Sequence, residues 1–160
     1  MPITGFTTNF ANRTLDINVL KVASYTNNLT QVTTVGFGNP SQYITGIGKL
    51  VQKYAILLLT ALGSQVNYPT FGTNFVPTLQ NGSSGISSLD LLHLFNFANL
   101  NVLGVLKPYQ ANNPTIPTDE QLQSAQLGSY SFADDVLSLS IDITSVAGDD
   151  VTFVLPIPLN

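Results

Sequence analysis

Leu137-Ser-Leu-Ser-Ile-Asp-Ile-Thr144 alternates apolar and polar residues without a break. In an extended chain Leu137, Leu139, Ile141 and Ile143 share one face, and Ser138, Ser140, Asp142 and Thr144 share the other. Gly148-Asp149-Asp150 then supplies a turn, and Val151, Phe153 and Leu155 alternate in a returning strand. Gly128–Phe132 is a candidate third strand, leading into Asp134-Asp135. The C-terminal part therefore reads as an antiparallel hairpin or small sheet with one apolar face, which helices must cover.

Two upstream segments carry helical spacing. Ile44, Ile47, Leu50/Val51, Tyr54, Leu57/Leu58 and Ala61 recur every three or four residues, which predicts a helix from an N-cap at Ser41 to about Leu62. Lys49, Gln52 and Lys53 fall between them on the expected wet side. Gly63 stands where a helix commonly ends in a left-handed residue. A second helix is expected from Ser87/Ser88 to about Leu106, ending before Pro108, with Leu91, Leu94/Phe95, Ala98, Val102 and Val105/Leu106 as its buried stripe. Ser64–Phe75 reads as an ordered loop that Tyr68, Phe71 and Phe75 could anchor, and Asn81-Gly-Ser-Ser-Gly85 as a flexible break. Thr118-Asp-Glu-Gln121 has capping-box spacing and predicts a short third helix to about Gln126.

Residues 1–40 are rich in Thr, Asn and Gly. Thr14–Ala23 and Gln31–Phe37 look like short strands flanking Asn27-Asn28, with Leu15, Ile17 and Val19 alternating in the first. The expected organisation is an N-terminal arm or edge hairpin over 1–40 and a single α+β domain over 41–160. Its fold class is two main helices and a short third helix packed on the C-terminal antiparallel hairpin.

Only 9% of the 160 residues are charged, against roughly 25% in an average soluble domain. Asn, Thr, Ser and Gln fill the polar positions, giving a surface with little charge repulsion, suited to life among packed neighbours. Five Lys plus Arg and a net charge of −4 cannot assemble a basic stripe, so no nucleic-acid partner is expected. The absence of cysteine removes disulfides and thiolate chemistry. The most apolar stretch, Tyr54–Leu62, is far shorter than the roughly 18 residues of a membrane span, and no membrane partner is expected.

Candidate chemistry is sparse. Glycosidase-type hydrolysis needs two carboxylates flanking one bond, and Glu120 is the sole glutamate. Its place in a first helical turn accounts for it through the helix dipole. Asp134-Asp135 and Asp149-Asp150 have turn positions, and Asp142 lies on a strand's polar face. His93, the single histidine, reads as a core or boundary residue and cannot form a zinc site without carboxylate partners. No Gly-x-Ser-x-Gly elbow, P-loop or dinucleotide fingerprint occurs. No enzyme activity, cofactor or metal is expected.

From Ile44 onward the order of features is similar to a known family. A helix ends in Leu58-Leu-Thr-Ala-Leu-Gly63-Ser64, a gap leads to Pro69-Thr-Phe71-Gly72-Thr-Asn-Phe75, and a helix and a terminal hairpin follow. This resembles the phage tail baseplate wedge family, also called sheath initiators, some of whose members carry an older "lysozyme-like" label. The resemblance covers about residues 44–157, and its most specific part is Leu-Thr-x-x-Gly-Ser followed by Pro-x-Phe-Gly. It implies a mechanical role in the virion's tail baseplate, for a protein made in the host cytoplasm. Several copies would surround the tail axis, contacting baseplate wedge and hub proteins and offering strands to the tail sheath protein. Strand addition of this kind draws affinity from backbone hydrogen bonds at a sheet edge. Leu137, Leu139, Ile141, Ile143, Val151, Phe153 and Leu155 match the position of the family's donor sheet. Gly63, Pro69, Phe71 and Gly72 match its loop motif, whose expected work is to hold the backbone. The family's Glu-Pro-Arg docking motif is missing, and Lys107-Pro108 and the Glu120 helix are the candidates to replace it. An adaptor of another virion tail or neck is the alternative, and a peptidoglycan-cleaving enzyme a more distant one.

Overall fold

The computed structural model describes residues 16–17, 20–26, 30–35, 43–82 and 86–159. Its elements in chain order are β1 (Asp16–Ile17), β2 (Leu20–Thr26), β3 (Thr30–Val35), β4 (Tyr43–Ile44), α1 (Gly46–Leu59), α2 (Phe75–Asn81) and α3 (Ser88–Ala111). A 3-10 turn (Thr118–Glu120), β5 (Leu122–Ala133), β6 (Val136–Ser145) and β7 (Asp150–Pro158) follow. β1 and β4 form a small antiparallel pair, and the other strands form one sheet in the order β2-β3-β7-β6-β5. β5, β6 and β7 run antiparallel, whereas β3 joins β7 in parallel at Thr30–Val32. The α+β class expected from the sequence is the class observed.

β6 and β7 follow their alternation residue for residue. Leu137, Leu139, Ile141, Ile143, Val151, Phe153, Leu155 and Ile157 are buried, while Ser138, Ser140 and Asp142 lie on the wetter face. α1 and α3 cover the apolar side. Tyr54 meets Phe153 edge-on at 6.2 Å between ring centroids, and Phe75 meets Phe95 likewise at 6.0 Å. The Tyr54 hydroxyl donates to Asn99 Oδ1 (2.8 Å), and Asn99 Nδ2 donates to the Ala125 carbonyl (2.9 Å). One relay thus joins α1, α3 and β5, and burial pushes the Tyr54 hydroxyl well above its usual pKa.

Several boundaries differ from expectation, each for a local reason. α1 begins at Gly46, after an extended Thr45, and Ser41 lies outside the described residues. The helix stops at Leu59, before Gly63. Thr60 turns extended, its hydroxyl donates to the Ile56 carbonyl (2.6 Å), and Thr73 Oγ1 satisfies the Leu58 carbonyl (2.7 Å). Gly63 does take positive φ (+78°), but in the following turn, where Ser64 N–H donates to the Ala61 carbonyl (3.1 Å). Lys49 and Gln52, expected on the wet side, are both buried. Gln52 Nε2 donates to the Ile17 carbonyl (2.9 Å), tying β1 to the helix.

α2 was not expected: it begins at Phe75, the last residue of the segment read as loop, and its seven residues, with Pro77 among them, are too few to show a helical period. Proline is tolerated there because it is the third residue of the helix, where its N–H has no intrahelical acceptor. Phe75 is a buried anchor of this segment, whereas Tyr68 is exposed. α3 starts as expected, with Ser87 Oγ accepting from Asp90 N–H (3.2 Å). It then continues through Pro108 to Ala111. The last turn is held by Gln110, whose Nε2 donates to the Glu120 carbonyl (3.1 Å) and whose Oε1 accepts from Leu122 N–H (3.0 Å). By length and composition α3 alone among the described helices could cross a membrane. Here Leu91, Phe95, Ala98, Val102 and Leu106 pack it on the core, and Leu89, Phe97 and Leu100 are exposed on its other side.

Beyond Pro117 the short helix expected to reach Gln126 is a single 3-10 turn, and residues from Leu122 on are strand. The third strand is correspondingly longer than Gly128–Phe132. The strand expected over Thr14–Ala23 is observed as β1 and the start of β2, with Ile17 exposed. Leu15, Val19 and the Asn27-Asn28 turn lie outside the described residues.

Candidate docking surfaces

Hydrogen-bond phase decides which backbone groups of the sheet are free. Ser145 N–H donates to the Asp149 carbonyl (2.9 Å), toward β7. The β6–β7 register has no shift, so odd-numbered residues of β6 bond to β7 and even-numbered ones face β5. Both edges of β6 are thereby used. The seven apolar residues matched to a donor sheet, Leu137 to Leu155, are all core, and the other strand of that group, β7, lies between β6 and β3. Leu159 N–H donates to the Asp135 carbonyl (2.8 Å), on the β6 side. By the same phase the nitrogens of Pro156 and Pro158 sit on the opposite edge, where proline has no N–H to donate. Past Val154, the last residue paired with β3, that edge is blunted.

β5 is different. Ser129 and Ser131 pair with Ser140 and Ser138, the β6 residues that face β5. Tyr130 and Phe132 therefore project their N–H and C=O groups from the edge of β5 that no other described strand pairs with. Nearer its start β5 is covered, since Gln110 takes the Leu122 N–H and Asn99 takes the Ala125 carbonyl. A bulge between Leu127 and Ser129 separates the covered part from the open one. On the open part the Tyr130 and Phe132 rings meet edge-on at 6.1 Å, and Phe132 is 52% exposed. A groove of about 550 Å³ runs beside it, between Leu89 and Leu92 of α3 and Gly128–Tyr130.

The loop that carries Gly72 is fastened to the end of α1. Thr73 N–H donates to the Thr60 carbonyl (2.8 Å) and Leu62 N–H to the Thr73 carbonyl (2.9 Å), a parallel clip just past α1. Gly72 makes the clip possible: its φ is +106°, and a Cβ there would lie 2.4 Å from the Thr60 oxygen. Gly63 turns the chain, Pro69 is exposed, and Phe71 is half-buried against the core.

The acids separate by role. Asp134 and Asp135 form the two-residue β5–β6 turn with φ of 50° and 59°, and Asp150 accepts from the Thr144 hydroxyl (2.6 Å). Asp142 accepts from the Thr152 hydroxyl across the polar face. Glu120 departs furthest from its reading. Its Oε2 lies 3.1 Å from Lys49 Nζ, with the two side chains 1% and 7% exposed, and its Oε1 accepts from Gly46 N–H at 3.2 Å. Glu120 therefore does serve a helix N-terminus, but that of α1, 74 residues earlier. Buried this way, it is not offered as a replacement docking residue. His93 is exposed on α3, not in the core or at its boundary. No cluster of three or more His, Asp or Glu that could hold a metal ion occurs among the described residues.

Comparison of the chain with protein-family models, with curated proteins and with solved structures finds no match.

Proposed function

We propose that this chain is a non-catalytic assembly subunit of a contractile-tail baseplate, present in several copies. In this reading it contacts wedge and hub proteins and anchors the first sheath subunits by accepting or donating a strand. The observation that carries the reading is the open half of β5, where Tyr130 and Phe132 present exposed aromatic rings and backbone groups that no other described strand pairs with. The low charge of the whole chain fits a surface that is covered in an assembly. Glu120 also supports a non-catalytic role. The only glutamate is neutralised by Lys49 and sealed in the core, where it reaches no substrate. The family resemblance in the Gly63–Gly72 loop motif supplies the specific assembly, and the strand-adding segment moves from β6 and β7 to β5.

Hydrogen exchange of the purified chain, with and without the sheath protein encoded by the same genome, tests this. New protection at Tyr130 and Phe132 is the expected result. Unchanged exchange there, in protein competent for assembly, would sink the sheath role and favour an adaptor of another tail or neck.

A further inference from the structure

The loop that carries the Pro69-x-Phe71-Gly72 motif also walls a second groove, away from the β5 edge. This groove encloses about 490 Å³ between α1, α3 and the loop. Ile56, Leu57, Val105 and Leu106 form its floor, and Tyr68, Phe71 and Tyr109 its rim. Tyr68 and Tyr109 are exposed, and such rings carry both an apolar surface and a hydroxyl, the combination favoured at protein interfaces. The volume suits two or three large side chains.

One charge stands in this apolar surround. Lys53 lines the groove, and its ammonium lies 5.5 Å from the centroid of the Tyr109 ring. No carboxylate is within ion-pair distance of it among the described residues; the charges of Glu120, which pairs with Lys49, and of Asp16 reach it only from further away. Lys53 is half-buried, and loss of solvent, then the neighbouring Lys49, hold its pKa below the usual lysine value. Glu120 and Asp16 offset this in part. A cation left short of both water and a counter-ion gains most from an arriving anion.

We infer that this groove is a docking site for a partner polypeptide, which inserts an apolar side chain and sets an adjacent carboxylate on Lys53. The charge is what commits the site to an acidic segment. An uncharged or basic apolar segment would leave Lys53 desolvated and unpaired, which is costly. The inference depends on the assembly reading only in that the occupant is a protein, and it makes no use of β5.

The test is an NMR titration of the isotope-labelled full chain with two probes, N-acetyl-Leu-Phe-Glu-amide and N-acetyl-Leu-Phe-Gln-amide. The expected result is shifts confined to residues around Lys53, Tyr68, Phe71 and Tyr109. The Glu probe should bind about fivefold or more tighter than the Gln probe. Lys53→Met should abolish that preference with the rest of the spectrum intact, and Lys53→Arg should keep it. Equal binding of the two probes to the unmodified chain would overturn the proposal. So would shifts confined to Gly128–Ala133, or binding of decanoate with neither peptide, which would mark the groove as a site for amphiphiles. Since the probes carry no sheath sequence, failure here leaves the exchange result at β5 untouched, and the reverse holds.

Discussion

At Gly72 the chain passes so close to Thr60 that a single methyl group decides whether the clip past α1 can form. Gly72→Ala should cost more than about 2 kcal/mol, combining a contact of 2.4 Å with a left-handed backbone. Gly63→Ala, with φ of +78° and nothing within 4 Å of its Cβ, should cost only about 1 kcal/mol of backbone strain. Denaturant midpoints of the two variants check this ordering. Lys49 and Glu120 behave as one unit. Lys49→Met or Glu120→Gln alone strands a buried group and should cost about 3–5 kcal/mol, while the double variant should lose clearly less than the sum. An unfolding double-mutant cycle reads this directly. Neither role was legible in the sequence. Periodicity assigns a polar residue between apolar ones to solvent, and it carries no information about a partner 74 positions away.

Among the elements, those with a long unbroken period were legible and those held by side-chain contacts were not. β6, β7 and the buried stripe of α3 followed from alternation and from three- and four-residue spacing. α2 did not, being too short to show a period, and neither did the last turn of α3, because Pro108 signals interruption while the compensating contacts of Gln110 are non-local. The candidate docking edge was likewise half visible. Alternation located the sheet, but hydrogen-bond phase, a property of the paired strands, selected β5. That phase makes a sharp prediction. Phe132→Pro removes an outward N–H and spares the β5–β6 ladder, so it should block the proposed strand addition with little change in stability. Ser131→Pro removes a ladder bond and should destabilise the fold by about 1 kcal/mol or more. Partner-dependent exchange and thermal melts of the two variants separate the effects.

At the scale of the molecule, one relay from Tyr54 through Asn99 to Ala125 runs through the core, so its titration reports global unfolding. The folded state raises the Tyr54 pKa, so its contribution to stability is complete below the unfolded tyrosine pKa of about 10. It falls as pH rises above that value. The denaturant midpoint should therefore drop at strongly alkaline pH, and Tyr54→Phe should flatten the drop, at the cost of about 1–3 kcal/mol for leaving the Asn99 oxygen unpaired.

The carboxylate that closes the start of α1 also sets an order of events during synthesis. A ribosome adds roughly 5–20 residues per second, so Glu120 follows Gly46 by roughly 4–15 s. For that interval the nascent α1 carries a cation destined for the core and an uncapped first turn. A chain released before Glu120 emerges lacks the group that completes them. Such fragments should be cut faster than the full chain in limited proteolysis, because the burial of Lys49 is incomplete in them.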